Sequence, residues 1–298
     1  MLAYALQKHE ARVSQCQPDA FDHGSIIDGV ADAIAAARGI AGYGEFEIDL
    51  DGLWKLALPF VKADERFDAQ FLDGDRVHEV LFYLAVDSDS RIPPMNSLLA
   101  VMIAYLIGSI SFGVLSSRIF GLPDPRTYGS GNPGATNVLR SGRKAAALFT
   151  LIGDAAKGAL AVGLARWLGP EIRLTETGIG AVAIAAFLGH LYPVFYRFKG
   201  GKGVATAFGI LLALSPCLAL GTSVVFLGTV LGTRYVSLAS VLAALFVVVA
   251  GPFILGWSPL AGAVILMGAL VVARHKANLK RLVAGEESKL RFRKRAPG

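Results

Sequence analysis

From residue 97 onward the chain is a series of apolar runs separated by short polar breaks. The runs cover residues 97–119, 145–168, 177–196, 204–214, 216–231, 237–250 and 252–273. A helix needs about 20 apolar residues to cross the ~30 Å hydrocarbon layer. The first three runs and the last meet that length. The middle ones are short individually, so five, six or seven crossings fit, and we adopt seven, some broken or tilted. Helices satisfy their own backbone hydrogen bonds in lipid. The pattern therefore predicts an all-α, polytopic transmembrane helical bundle.

Residues 1–94 follow a different pattern. The alanine-rich stretch 29–40 reads as helical, 77–86 as a short strand or helix, and 53–61 is too short to span. Glycines and acids break up the rest. This part reads as a soluble or poorly ordered acidic N-terminal extension, followed by an integral membrane domain over 95–298. No charged, apolar and cleavage regions of a signal peptide open the chain. The Pro93-Pro94-Met95 junction, met directly by an apolar run, suggests that Met95 is the true start.

Composition sharpens this division. The chain is 54% hydrophobic and 17% charged, with a mean hydropathy of +0.53, too apolar for a soluble protein of this size. Residues 1–94 hold eight Lys/Arg and seventeen Asp/Glu, net −9; residues 95–298 hold twenty-one and six, net +15. The basic charges sit at the ends of apolar runs, as membrane anchors do, and do not call for nucleic acid. Arg126, Arg140, Arg143, Lys144, Arg197, Lys199, Lys202, Arg234, Arg274 and the basic C-terminal tail share one side under a seven-span count, against Arg166 and Arg173 opposite. That asymmetry predicts an outside start for the first span and a cytoplasmic C-terminus. The two cysteines, Cys16 and Cys217, suggest neither a disulfide framework nor a metal site.

Three polar clusters fall on the predicted cytoplasmic side. The first, Tyr128 to Arg140, offers hydroxyls, amides and glycine-freed backbone donors before an apolar helix, with Arg140 able to grip phosphate bidentately. Alone it also reads as a turn and helix cap. The second, His190 to Thr206, carries Gly200-Gly201-Lys202-Gly203. Flexible backbone can aim several N–H groups at one anion while lysine adds a point charge. It is not a Walker A loop, because Tyr196 replaces the leading glycine and Gly203 follows the lysine. The third, Arg274 to Arg281, puts His275, Asn278 and Arg281 on one helical face; a plain basic stop accounts for Lys280 but less well for His275 and Asn278. Within the second span, Asp154 and Lys157 form an i, i+3 pair that reads equally as a functional group or as a neutralised structural pair. Gly228-x-x-x-Gly232 would allow close helix packing.

These clusters, in this order, resemble the PlsY family of bacterial membrane acyltransferases, which use acyl-phosphate to acylate glycerol-3-phosphate. The matching pieces are GSGNPGATNVLR (129–140), GHLYPVFYRFKGGKGVAT (189–206) and RHKANLKRL (274–282), with GSISFG (108–113) and the D-x-x-K-G of 154–158. The resemblance covers about residue 95 to the tail and omits residues 1–94. It implies a seven-span enzyme of the bacterial inner membrane that performs the first acylation of phospholipid synthesis. It also implies no metal, no cofactor, and no direct use of acyl-CoA or acyl carrier protein. By motif position, Ser130, Gly131, Asn132, Thr136, Asn137 and Arg140 would hold phosphate or oxyanion. Lys202, Gly201 and Gly203 would hold a second phosphate. His275 and Asn278 would orient the attacking hydroxyl, with His275 favoured as a hydrogen-bond donor over a general base. Ser237 or Ser240, preferably Ser240, and Glu287 complete the expected set. The other class compatible with the sequence is a multi-span transporter of an anionic metabolite, which would place its site near the bilayer midplane, often between inverted repeats. The clusters collect on one face instead, and no repeat is evident.

Overall fold

The structure is a computed structural model that describes residues 95–290. The expectations for residues 1–94 lie outside the described residues. The described chain is helical, in the order α1 Met95–Gly108, α2 Phe112–Ile119, α3 Ala135–Leu139, α4 Lys144–Leu168, α5 Glu176–Leu191, α6 Val204–Leu214, α7 Pro216–Thr233, α8 Val236–Leu255, α9 Pro259–Arg274 and α10 Lys276–Val283. A single 3-10 turn, Val194–Tyr196, lies between α5 and α6.

Every residue of α5 from Gly180 to Leu191 is buried. Its run of alanine and glycine lets neighbours approach closely, which is how helices associate where lipid removes the hydrophobic driving force. An alanine methyl at Gly108 of α1 would lie 2.1 Å from the Ala186 carbonyl oxygen of α5. The outside of the bundle is the opposite of a soluble surface. On α7, Leu220, Val224, Leu227 and Leu231 form an exposed stripe at three- and four-residue spacing. Such a stripe is stable facing acyl chains and would aggregate in water. Trp167 and Trp257 stand exposed near the C-terminal ends of α4 and α8, where interfacial tryptophans belong.

All seven expected apolar runs are helical. Four helices (α4, α5 with its following turn, α7 and α8) are long and apolar enough to cross alone, and the total is six if each bent pair counts as one span. Those pairs are α1–α2, bent by 42°, and α9–α10, bent by 51°. The sequence of α10 carries Lys276, Lys280 and Arg281, so we read α9 as the span and α10 as a helix lying at the surface. The seventh run is α6, whose 11 residues reach only ~16 Å.

Two expectations are corrected. The boundary between the last two spans is not at Pro252, which lies inside α8. Gly256, at φ 69°, ends that helix, and Ser258 caps α9 by accepting from the Ala261 N–H at 3.3 Å, with Pro259 at the first helical position. The Gly228/Gly232 pair packs on no described neighbour within 4 Å, because it falls on the exposed face of α7.

The short helix α6 fixes the depth of the second cluster. Gly158 of α4 lies against the Thr206 carbonyl, and Arg166, eight residues further on, donates to the carbonyls of Ala213 and Leu214 at 2.6 and 2.8 Å. The two helices therefore run parallel and end together, and Arg166 satisfies carbonyls that the end of α6 leaves without helical partners. Because α6 is less than half the length of α4, the Gly200–Gly203 loop that starts it folds back into the bundle.

Candidate active site

The first cluster is shaped by Asn137 on α3. Its side-chain oxygen accepts from the Ser130 N–H at 3.0 Å, and its amide donates to the carbonyls of Pro125 at 2.7 Å and Tyr128 at 3.1 Å. Gly129 has φ +60°, and a Cβ there would stand 2.2 Å from the Asn137 oxygen. Only glycine fits that turn. Asn137 is thus spent on the loop's own backbone and is buried. Ser130, Gly131 and Thr136 are exposed, and Asn132 is half-buried. Arg140, one residue beyond α3, donates to the Ser288 hydroxyl at 2.7 Å, 148 residues along the chain.

The second cluster is held from beneath. The Gly201 N–H donates to the His190 carbonyl at 3.1 Å, and the Gly201 carbonyl accepts from Arg274 at 3.2 Å. Gly203, at φ +83°, starts α6. Between them the Lys202 ammonium donates to the side-chain oxygen of Asn278.

The third cluster closes the site. His275 ends α9 and is buried. Its Nδ1 lies 2.7 Å from the Val271 carbonyl oxygen, which can only accept. Nδ1 therefore carries the proton, and Nε2 is the acceptor of the neutral ring. Asn278 passes its amide to Glu287 Oε1 at 2.7 Å, and Arg281 Nε donates to Glu287 Oε2 at 3.0 Å. The result is one connected line, Lys202–Asn278–Glu287–Arg281, with Arg140 tied to the neighbouring Ser288.

The electrostatics follow from that packing. Burial, with the nearby charges of Arg281, Arg274 and Arg140, lowers the Lys202 ammonium to about 8 against the pull of Glu287. Burial, then the charge of Lys202, lowers His275 to about 4 despite its Val271 bond and Glu287. Burial raises Glu287, but hydrogen bonds from Asn278 and Arg281, with the Ser237 hydroxyl nearby, outweigh it and hold the carboxyl below its ordinary range. Lys202 thus lies within reach of three further cations, one carboxylate and a neutral imidazole. The cluster carries a surplus of positive charge, a potential that favours anions.

Chain comparison agrees with this geometry. Residues 98–285 match the glycerol-3-phosphate acyltransferase family. The chain belongs to that family. The glycerol-3-phosphate acyltransferase of Ralstonia pickettii (strain 12J) is 56% identical over 208 residues, 68% of this chain and 99% of the relative. That of Cupriavidus metallidurans is 53% identical over 205 residues, 67% of this chain and 100% of the relative. The crystal structure of PlsY (YgiH), an integral membrane glycerol 3-phosphate acyltransferase in its glycerol 3-phosphate form, superposes with a TM-score of 0.60. It shares 39% identity and covers 65% of this chain and 95% of its own. The lysophosphatidic acid form of the same enzyme gives 0.58 at 38% identity. This chain is accordingly an integral membrane acyltransferase.

Within this acyltransferase the structure joins Arg140, Gly201, Lys202, His275, Asn278 and Glu287. Ser240 is turned away: its hydroxyl donates to the Val236 carbonyl of its own helix at 2.8 Å. Ser237, one turn earlier, has a buried hydroxyl without a hydrogen-bond partner and lies close enough to help hold Glu287 ionised. The preference between the two serines is therefore reversed, a matter of helical phase. The favoured donor role of His275 is also reversed, because Nδ1–H is committed to Val271. Ser288 and Arg274 were not among the expected residues. Arg274 had a signal in its place beside His275; its guanidinium sits 5.5 Å over the Tyr192 ring.

Proposed function

We propose that this chain transfers the acyl group of an acyl-phosphate to the 1-hydroxyl of glycerol-3-phosphate, at the cytoplasmic face of the bacterial inner membrane. The products are 1-acyl-glycerol-3-phosphate (lysophosphatidic acid) and inorganic phosphate. The observation that carries this reading is the gathering of Arg140, Arg274, Arg281 and the single carboxylate of Glu287 around Lys202, four cations to one anion. Two substrates that each place a phosphate near the reacting atoms need that surplus, whereas a thioester donor carries its phosphates at the far end of the pantetheine arm.

In this reading Lys202 and Arg140 engage phosphate, with backbone donors of the Ser130–Gly131 turn and the Gly201–Gly203 loop beside them. Asn137 shapes the first loop and acts through it. His275 accepts the substrate hydroxyl's hydrogen bond at Nε2 and points its oxygen at the acyl carbon. The hydroxyl oxygen forms the new ester bond as the bond from acyl carbon to phosphate oxygen breaks. An imidazole lowered to about 4 is a poor proton store. As the ester bond forms, the hydroxyl hydrogen turns from Nε2 to the departing phosphate, which takes that proton and leaves as inorganic phosphate. The mixed anhydride is already activated, so alignment and charge stabilisation supply most of the help it needs.

The location rests on charge. The basic residues named above cluster at the site end, and Arg166 and Arg173 at the other, which orients the site to the cytoplasm. Residues 1–94 we assign to an extension separate from the acyltransferase domain. The test is purified protein in detergent, given palmitoyl phosphate. Inorganic phosphate should be released when glycerol-3-phosphate is added, and Lys202→Ala should lose most of that release. Phosphate release indifferent to glycerol-3-phosphate would contradict the reading.

A further inference from the structure

A second polar cluster lies inside the bundle and takes no part in the chemistry above. Asp154, Lys157 and His190 are 3%, 3% and 8% exposed. Lys157 Nζ sits 2.9 Å from Asp154 Oδ1, and His190 Nδ1 sits 3.5 Å from the same oxygen. A buried ion pair is an expensive way to gain stability, and more so within a bilayer. Its outward contacts give it another use. Lys157 donates to the Ile110 carbonyl at 2.6 Å, in the break between α1 and α2. His190 Nδ1 also meets the Thr206 hydroxyl at 3.1 Å. The His190 backbone carbonyl takes the Gly201 N–H, and its ring presses so closely that a Cβ at Gly201 would lie 2.2 Å from Nε2. Gly201 directly precedes Lys202.

We propose that Asp154, Lys157 and His190 form a positioning strut that holds the Gly200–Gly203 loop at the height where Lys202 reaches Asn278. The ion pair fixes the imidazole, the imidazole and its carbonyl fix Gly201, and Gly201 fixes the lysine. Through the Ile110 carbonyl, Lys157 pins the start of α2, whose Gly113 abuts the Pro133 carbonyl of the first glycine-rich loop. The strut therefore sets both loops against each other. It rests on the assignment of Lys202 as a phosphate-binding residue.

The experiment is pulse acetylation of the full-length protein in detergent across pH, with the Lys202 peptide followed by mass spectrometry. Wild type should show a midpoint near 8, set by burial and by Arg140, Arg274, Arg281 and Glu287. In His190→Gln and Asp154→Asn the loop opens to water, and the midpoint should rise by about one to two pH units. kcat/KM for glycerol-3-phosphate should fall about tenfold alongside. If His190→Gln fails to insert, Thr206→Val takes its place. An unmoved midpoint, even with a lower melting temperature, would assign the trio to folding alone and overturn the proposal. Failure of the phosphate-binding reading is separate: Lys202→Ala would then have wild-type kinetics whatever the labelling midpoints show.

Discussion

The ammonium of Lys202 donates to the side-chain oxygen of Asn278, 76 residues further along the chain. A flexible glycine loop and the first turn of α10 thereby become one unit, because Asn278 hands its amide on to Glu287. Removing either end of this link strands a buried polar group. A charge-assisted contact of this kind is worth roughly 1.5–3 kcal/mol. Lys202→Ala and Asn278→Ala should each lower kcat/KM by about one to two orders of magnitude, with membrane abundance unchanged. Steady-state kinetics in detergent decide this, and wild-type values for either variant would reduce its cluster to a basic anchor.

Arg140 reaches Ser288 with one guanidinium nitrogen and lies 3.5 Å from the Asn137 oxygen with another. A lysine cannot reproduce that fork. Arg140→Lys should therefore recover only a small part of the activity that Arg140→Ala loses. Full recovery by lysine, measured at saturating donor, would mean that charge alone matters there.

His275 gives a prediction in pH. Burial and Lys202 lower it to about 4, so the ring stays neutral down to that value and Nε2 stays an acceptor. Activity should persist as pH falls through 6.5 and decline only near 4. His275→Gln should keep partial turnover, since its amide oxygen accepts a hydrogen bond, while His275→Ala should lose most of it. A wild-type acid limb centred near 6.5 that vanishes in His275→Gln would restore the imidazole as general base.

On the alkaline side the group is Lys202. Its ammonium is charged below about 8, so phosphate engagement by free enzyme is present below that pH and is lost above it. kcat/KM should fall as pH rises through about 8, and the limb should lie higher in kcat, because bound phosphate favours the charged amine. Arg replacing Lys202 stays charged and should abolish the limb in whatever activity remains.

A protein that starts at Met95 should insert and retain activity, since the family match begins at residue 98. Lost activity at equal membrane abundance would assign residues 1–94 a role in the acyltransferase.

The three polar clusters were legible because lysine, arginine and a glycine-broken backbone do not sit in lipid without a wet site, and together they stand out against apolar sequence. The helical class was legible for the same reason. The span count was not, because an 11-residue apolar run reads the same whether it crosses alone or begins at an inward loop; Arg166 on the Ala213 and Leu214 carbonyls settles its end. Pro252 misplaced a boundary because proline inside a helix and proline before one look alike in sequence. Ser237 and Ser240 differ only by helical phase, and phase is set by what α8 packs on. The Arg140–Ser288 contact and the pressure of His190 on Gly201 join distant residues, which no local pattern encodes.

The choice of acyl donor tests the proposed reaction most directly. Purified protein should be given labelled glycerol-3-phosphate with palmitoyl phosphate, palmitoyl-CoA or palmitoyl acyl carrier protein in parallel. Labelled lysophosphatidic acid should form with palmitoyl phosphate alone, with one inorganic phosphate released per product. Product from either thioester at a comparable rate, or none from palmitoyl phosphate, would contradict the account.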